Sequence, residues 1–356
     1  MNLSCLMRCL CLAFVCLWPL PLRAGAPAPL KVMFYNCENL MDTVNDPLTA
    51  DDDFTPGGSR HWTSSRLWEK LNHLTRVVLA AGEGRPPVLV GLAEVENDSV
   101  LRQWLRLRSM WQQGYRSLVT SGIDRRGIDV ALLYQPEIFR LLGWESLRIQ
   151  MPQGVRPTRD LLHAWGRLVS GDTLDVIVCH LPSRLGGTRG SRPARQAAHG
   201  KLRAVTDSIL YIRRQPALIV MGDMNDYPDT KSFIGDLRLA DPERDPLQPL
   251  SMYDLMIPLH RCLNRRKITT GSHKYGGDWG FLDHFLVNGG LLLPHAPLSL
   301  RNARPFSLPF MMTEDRTHFG MRPLRSYYGF KWEGGYSDHL PILVDLEIRS
   351  DQAGEP

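Results

Sequence analysis

Past its first two dozen residues, the 356-residue chain lacks any apolar run long enough to cross a membrane. It also lacks internal repeats, low-complexity tracts and a linker-like stretch, which argues against a solenoid and against a string of small domains. A strong excess of one charge is missing too. Against 42 Lys and Arg stand 37 Asp and Glu, a formal charge of +5. That balance suits an anionic substrate, and an ordinary solvated surface equally well. Cysteine is scarce where it would matter. Of seven, Cys5, Cys9, Cys11 and Cys16 fall in the first sixteen residues, leaving Cys37, Cys179 and Cys262. Three scattered cysteines are no disulfide framework. Cys37 and Cys179 sit in strand-like runs, where a thiol acts as a small hydrophobe.

The N-terminus reads as a processing signal. Arg8 precedes an apolar run from Cys9 to about Leu22, broken by proline and ending in Ala24-Gly25-Ala26. Residues 1–26 are therefore expected to be a signal peptide, and the protein to be exported to a periplasm or outside the cell. Cleavage would leave 40 bases against 37 acids, or +3. Residues 27–350 are expected to form one large α/β domain, with 351–356 a short tail and the protein a monomer.

Strands alternate with helices along this region. Apolar runs such as "PLKVMFYN", "PPVLVGLAEV", "IDVALLYQ", "LDVIVCHL", "PALIVMGD", "FLDHFLVN" and "LPILVDLEI" read as strands. Helices are expected from Ser64 or Ser65 to Gly82, from Asp98 through Leu105, and from Pro193 to about Arg213. The stretch from about Leu291 to Gly335 reads as long loops. Several strands pair locally, so a mixed, two-sheet core is expected rather than an all-parallel sheet.

Many of these strands share one design: an apolar run that delivers a polar group at its end. They supply Asn36, Glu94, His180, Asp223 with Asn225, and Asp283, while Asp338 and His339 lead into the last. Side chains two apart on a strand face the same way, so Asp223 and Asn225 should act together. Strand ends of a core sheet open on one rim, where such groups converge. Carboxylate and amide oxygens are ligands for hard ions such as Mg²⁺ or Mn²⁺. Histidines beside them suit proton transfer. Taken singly, each has an ordinary alternative. Gly-Asp-x-Asn is also an Asx turn, and a lone histidine is also a core residue. A calcium-binding EF-hand loop is excluded, because its sixth and twelfth positions would be Pro228 and Ile234.

The segments "FYNCEN", "GLAEVEN", "VCHLPSR", "GDMND", "LDHFLV" and "SDHLP", in this order, resemble the endonuclease/exonuclease/phosphatase superfamily. That is the fold of deoxyribonuclease I-like and exonuclease III-like enzymes, and exported bacterial members are the nearest in pattern. The resemblance implies a four-layer α-β-β-α sandwich of two packed mixed sheets. It implies a metal-dependent phosphoesterase, most readily an endonuclease, with a phosphatase or sphingomyelinase-like phosphodiesterase as the alternative. By the same resemblance Glu94, Asn36 and Asp338 lie at the metal. Asp223 and Asn225 orient water and touch phosphate, and Asp283 orients His339. His180 is the second histidine, supported by Asp129. Arg184 and Arg195, in a "PSR…R" segment, and Arg126 are expected to meet phosphate. His284, next to Asp283, should point away from the site. Phe306, Phe310, Met311 and Met312 are read as packing, with a lipid-binding loop as the alternative. Trp62 and the loop "DDDFTPGGSRHW" match the bacterial pattern without a physical role.

Overall fold

Val32 and Phe34 leave one side of their strand, Met33 and Tyr35 the other, and all four are fully buried. A strand buried on both faces must lie between two further layers, and that is how this chain folds. The computed structural model describes residues 29–184 and 186–349, so the expected signal peptide and the tail 351–356 lie outside the described residues.

Six strands form the first sheet, in the order Leu298–Pro305, Ile342–Ile348, Leu30–Leu40, Leu89–Val95, Asp129–Tyr134 and Arg116–Val119. Seven form the second: Phe139–Leu147, Leu161–Leu168, Thr173–His180, Leu218–Asp223, Asp283–Asn288, Met252–Asp254 and Leu239–Ala240. Both are mixed. Leu30–Leu40 runs parallel to Leu89–Val95 and antiparallel to Ile342–Ile348. Thr173–His180 runs parallel to Leu218–Asp223, which is antiparallel to Asp283–Asn288.

Between the sheets, Val32, Phe34, Ala93 and Val130 pack on Val176, Val178, Ile219, Met221 and Phe285. Each of the larger side chains contributes about 1.5–3 kcal/mol by leaving water. The sheets approach closely at Gly91, where a Cβ would lie 2.8 Å from the Met221 sulfur. On the outer face of the first sheet, Met33, Tyr35, Val90 and Leu92 pack on Leu67, Leu71, Leu74 and Val78 of helix Ser64–Ala81, and on Leu101 and Trp104 of helix Asp98–Leu105. Ile177, Cys179 and Val220 do the same with Leu202 and Ile209 of helix Arg192–Ile212. The result is the expected α-β-β-α sandwich. The first helix is capped by Thr63, ahead of Ser64 and Ser65, which accepts from the Arg66 amide; the second opens at Asp98 as expected, with Asn97 accepting from the Val100 amide. Cys37 and Cys179 are buried free thiols.

The stretch read as loops holds the main departure. Leu298–Pro305 is a full edge strand, antiparallel to Ile342–Ile348. Its pattern is obscured because three consecutive residues, Leu298, Ser299 and Leu300, are buried before a bulge between Arg301 and Arg304, with Asn302 left-handed at φ 54°. Two hairpins follow, Met312–Glu314 with Met321–Pro323 and Tyr327–Tyr328 with Lys331–Trp332. Trp62 secures the second. It is buried, donates Nε1–H to the Met41 carbonyl at 3.0 Å, and packs against Phe54, Tyr327 and Trp332.

Candidate active site

Strand parity places the second-sheet side of the site. Val176 and Val178, Ile219 and Met221, and Phe285 face the inter-sheet core. Residues two further along the same faces are His180, Asp223 and Asp283. They stand side by side, because His180 pairs with Asp223 and Asp223 with Asp283 in the strand registers. His180 Nε2 lies 3.6 Å from Asp223 Oδ2. The Asp283 Oδ2 atom is 2.8 Å from His339 Nδ1, and His339 Nε2 is 3.8 Å from Asp223 Oδ2. The carboxylate fixes the ring and its tautomer, with Nε2 turned toward Asp223.

The same parity brings Asn36 in from the first sheet, two residues beyond Phe34. Its amide donates to Asp223 Oδ2 at 3.1 Å, bridging the sheets. Glu94 breaks the pattern. Alternation from Leu92 would send it outward, but the register shifts between Ala93 and Val95 and Glu94 is left-handed, φ 61°. The bulge re-aims the side chain, and the Asn39 amide donates to its Oε2 at 2.9 Å. Asp338 arrives on a loop. Ser337 donates to the Asn36 carbonyl at 2.7 Å, and Arg325 donates to Asp338 Oδ2.

Asn225 does not share a strand face with Asp223. The strand ends at Asp223, and Asn225 is left-handed at φ 52°. Its backbone N–H returns to Asp223 Oδ1 at 2.9 Å, while its side-chain amide donates to the Leu181 carbonyl. The stretch is thus an Asx turn and part of the site at once.

Other expectations are corrected. Asp129 does not support His180; it accepts from Thr120 Oγ1 at 2.6 Å and from the Gly122 amide. His180 Nδ1 is buried with no partner among the described residues. Arg195 is buried and spends Nε and Nη2 on Asp226. Arg184 also donates to Asp226 Oδ1, at 2.5 Å, and to Thr230 Oγ1, at 2.8 Å, although its side chain is 32% exposed. Arg126 remains half-exposed beside Asp124, close enough for its charge to act on His180. Asp226, which passes for a turn residue in the sequence, is a wholly buried anchor. His199 Nε2 stands 3.5 Å from it, and its carbonyl meets His284 Nε2 at 2.9 Å. His284 does face away from the catalytic rim, bound through Nδ1 to Asp254.

Several residues escaped sequence reasoning. Arg159 is buried and donates to the carbonyls of His180 and Leu181. Lys70 is wholly buried on the first helix, donating to Ser326 Oγ at 2.6 Å and the Tyr336 carbonyl at 2.5 Å. Glu38 accepts from the Ser326 amide and faces Arg325. His273 pairs with His339 as an isolated bridge, their ring centroids 4.7 Å apart. Only the helix period at Lys70 could have signalled any of them, since it places the lysine on the buried stripe beside Leu67, Leu71 and Leu74.

Burial dominates the electrostatics. It pushes Asp223 up to about 7, with Asp283 adding repulsion. It holds His180 well below the ordinary histidine range, helped by Arg159 and Arg126. Burial opposes a charged His339 as well, but Asp283, with Asp223 and Asp338 behind it, raises that ring well above its usual range. The centre therefore sets a carboxylate near neutrality and a neutral imidazole against an imidazolium. The carboxylate can take a proton, the neutral imidazole beside it resists one, and the imidazolium can give one or face negative charge.

A model of the endonuclease/exonuclease/phosphatase family matches residues 31–348. The chain belongs to this family. No curated relative matches it in sequence. Among solved members of the same fold, D. rerio TDP2 complexed with a single-strand DNA product is 16% identical, with TM-score 0.53, covering 89% of this chain and 98% of its own. The human Nocturnin catalytic domain with bound sulfate is 16% identical, with TM-score 0.52, covering 90% and 95%. The Bacteroides thetaiotaomicron mannosyl-6-phosphatase Bt3783 is 14% identical, with TM-score 0.54, covering 89% and 99%. At such identities these likenesses establish the fold.

Endonuclease/exonuclease/phosphatase enzymes hydrolyse phosphoesters, typically with a divalent metal. The donors here suit one. Asn36, Glu94 and Asp338 offer hard oxygens, and each carboxylate keeps one oxygen outside the bonds described above. The tightest ligand groupings among the described residues are His273 with Asp338 and His339, and Asp223 with Asp283 and His339. In each, the ligand atoms lie within 4.8 Å of one another; Glu94 stands outside both.

Proposed function

We propose that this protein is an exported, divalent-metal-dependent phosphodiesterase that cleaves nucleic acid by in-line attack of water. The observation that carries the reading is the Asp283–His339 pair facing Asp223 across 3.8 Å, with Asn36 binding Asp223 from the opposite sheet. Asp223 accepts the proton of the attacking water, with His180 neutral beside it. Asn225 and Asn36 hold Asp223 in place. His339, charged and fixed by Asp283, faces the phosphoryl oxygens and the leaving group. Asn36, Glu94 and Asp338 would hold Mg²⁺ or Mn²⁺, which when bound supplies Lewis-acid polarisation of a phosphoryl oxygen. Arg126, half-exposed beside Asp124 and close enough for its charge to act on His180, would meet a further phosphate of a polyanion.

A phospholipid is the second reading, favoured by one observation. The segment with Phe306, Phe310, Met311 and Met312 packs against the core. Instead, Phe319 (84% exposed), Tyr275 and Phe330 stand out on the hairpins near His273 and Arg325. Hydrolysis of plasmid DNA, RNA, bis-p-nitrophenyl phosphate and sphingomyelin, with Mg²⁺, Mn²⁺ or EDTA, separates the readings. Activity on DNA or RNA that needs metal and disappears in Glu94→Ala and His339→Ala is expected. Cleavage that survives EDTA and both substitutions refutes the mechanism. Cleavage of sphingomyelin alone replaces nucleic acid with lipid.

A further inference from the structure

The family's reaction asks for hard oxygen ligands, yet nitrogen gathers on one side of this site. Ligand atoms of His273, Asp338 and His339 lie within 4.8 Å of one another. His273 is fixed there by backbone pairing with His339, and the Leu340 amide donates to the Ser272 carbonyl at 2.7 Å. Its Nδ1 is buried with no hydrogen-bond partner among the described residues. A buried imidazole nitrogen left unsatisfied calls for an explanation, and an ion is one.

We propose that His273, Asp338 and His339 form a transition-metal site that takes Zn²⁺ in preference to Mg²⁺ and, when filled, silences the catalytic histidine. Two imidazoles and one carboxylate make a zinc set with a fourth position open to water, whereas Mg²⁺ takes oxygen. Each member has a ligand atom to give. His339 Nδ1 is held by Asp283 at 2.8 Å, which leaves Nε2 outward and more basic; zinc binding there releases the Nε2 proton to solvent. Asp338 binds Arg325 through Oδ2, which leaves Oδ1. His273 has its unpartnered Nδ1. Ligands about 2.0–2.1 Å from a tetrahedral zinc stand roughly 3.4 Å apart, so from separations within 4.8 Å the group closes by at most about 1.4 Å. The competing trio of Asp223, Asp283 and His339 leaves Asp283 Oδ1 unpartnered among the described residues too, but it offers one nitrogen rather than two, and both Asp223 oxygens already accept, from Asn36 and from the Asn225 amide. Zinc on His339 Nε2 removes the atom that faces the phosphate. That consequence rests on the proposed function; the binding site does not.

The test is titration of chelator-stripped protein with Zn²⁺ by calorimetry, with Co²⁺ absorption in the visible as a report on ligand geometry. Wild type should bind one Zn²⁺ at least about a thousandfold tighter than Mg²⁺. His273→Phe, which keeps a ring against His339, should lose at least about tenfold in Zn²⁺ affinity, and Asp338→Asn likewise. His273→Cys, smaller but still a zinc ligand, should retain tight binding. Metal-free thermal melts confirm that each variant is folded. If His273 merely packs, phenylalanine will match wild type and cysteine will not surpass it, and the proposal falls. In hydrolysis with saturating Mg²⁺, added Zn²⁺ should inhibit wild type more strongly than His273→Phe. Failure of every phosphoester to react would defeat the proposed function, while the zinc titration would still decide the site.

Discussion

Asp226→Asn is the substitution that most directly tests how the catalytic turn is held. Asp226 has no exposed surface, and it accepts from Arg195 Nε and Nη2 and from Arg184 Nη2, with His199 3.5 Å away. Asparagine keeps the shape but offers one acceptor oxygen and turns an amide toward two guanidiniums. Arg184 can swing toward solvent; Arg195, only 4% exposed, cannot. Stranding a buried charge in this way costs about 3–5 kcal/mol. For a protein whose whole stability is about 5–15 kcal/mol, that is a large share. The assay is urea unfolding with the slope required to stay constant. Asp229→Asn is the internal control. Asp229 is 68% exposed and pairs, among the described residues, only with His260, so it should cost less than about 1 kcal/mol. Adding Arg195→Met to Asp226→Asn removes the stranded charge and should recover part of the loss. Equal, small effects at Asp226 and Asp229, or strict additivity in the double variant, would refute the account of Asp226 as an anchor.

Asp283→Asn should lower kcat for bis-p-nitrophenyl phosphate by about 10²–10⁴-fold with little change in KM, because His339 loses the partner that orients and charges it. Glu94→Gln should raise the Mg²⁺ concentration needed for half-maximal activity by about tenfold or more, read from metal titrations of the rate. Trp62→Ala should destabilise by about 3–5 kcal/mol in urea and loosen the hairpin Tyr327–Tyr328/Lys331–Trp332, which Trp62 packs beneath. Away from the site, His163 has Glu145 Oε1 at 2.9 Å from Nδ1 and Asp175 Oδ1 at 2.9 Å from Nε2, so both nitrogens must carry protons. Burial opposes that charge, but Asp175 and Glu145 raise the ring above its ordinary value. A raised histidine stabilises fully below its unfolded value, about 6.5, and the contribution is lost as pH rises through the folded one. Urea midpoints should therefore fall across that window in wild type, and the fall should flatten in His163→Gln.

The central strands of both sheets were legible because each is a run of apolar residues bounded by turn signals, whereas Met252–Asp254 and Leu239–Ala240 are too short to show a pattern. Parity then places Asn36, His180, Asp223 and Asp283 on the inner face, as the sequence argument requires of convergent groups. What parity could not deliver was Glu94. It reaches the site only through a left-handed bulge, and nothing in "GLAEVEN" announces one. Asp129 misled for the opposite reason: its strand position is right, but Thr120 and Gly122 are nearer partners than any histidine. The arginines after His180 read as phosphate ligands because sequence shows charge without its neutralising partner. Leu298–Pro305 read as loop because an edge strand with a bulge loses its alternation.

Asp223 and Asp226 show why the site could be located in the sequence and yet not fully assigned. They stand three residues apart in "GDMND", and both are buried. Burial alone raises any carboxyl. At Asp223 it prevails, because the nearest carboxyl, Asp283, adds to it and the cation it faces is shared; the group sits at about 7. At Asp226 burial is overcome by His199, Arg195 and Arg184, and the carboxyl is held below its usual range. One aspartate is thereby left able to accept a proton, and the other is a permanent anion that fixes the turn. The two guanidiniums and the imidazole that make this difference come from the loop after His180 and the helix behind it, so the division of labour within five residues is written some thirty to forty positions upstream.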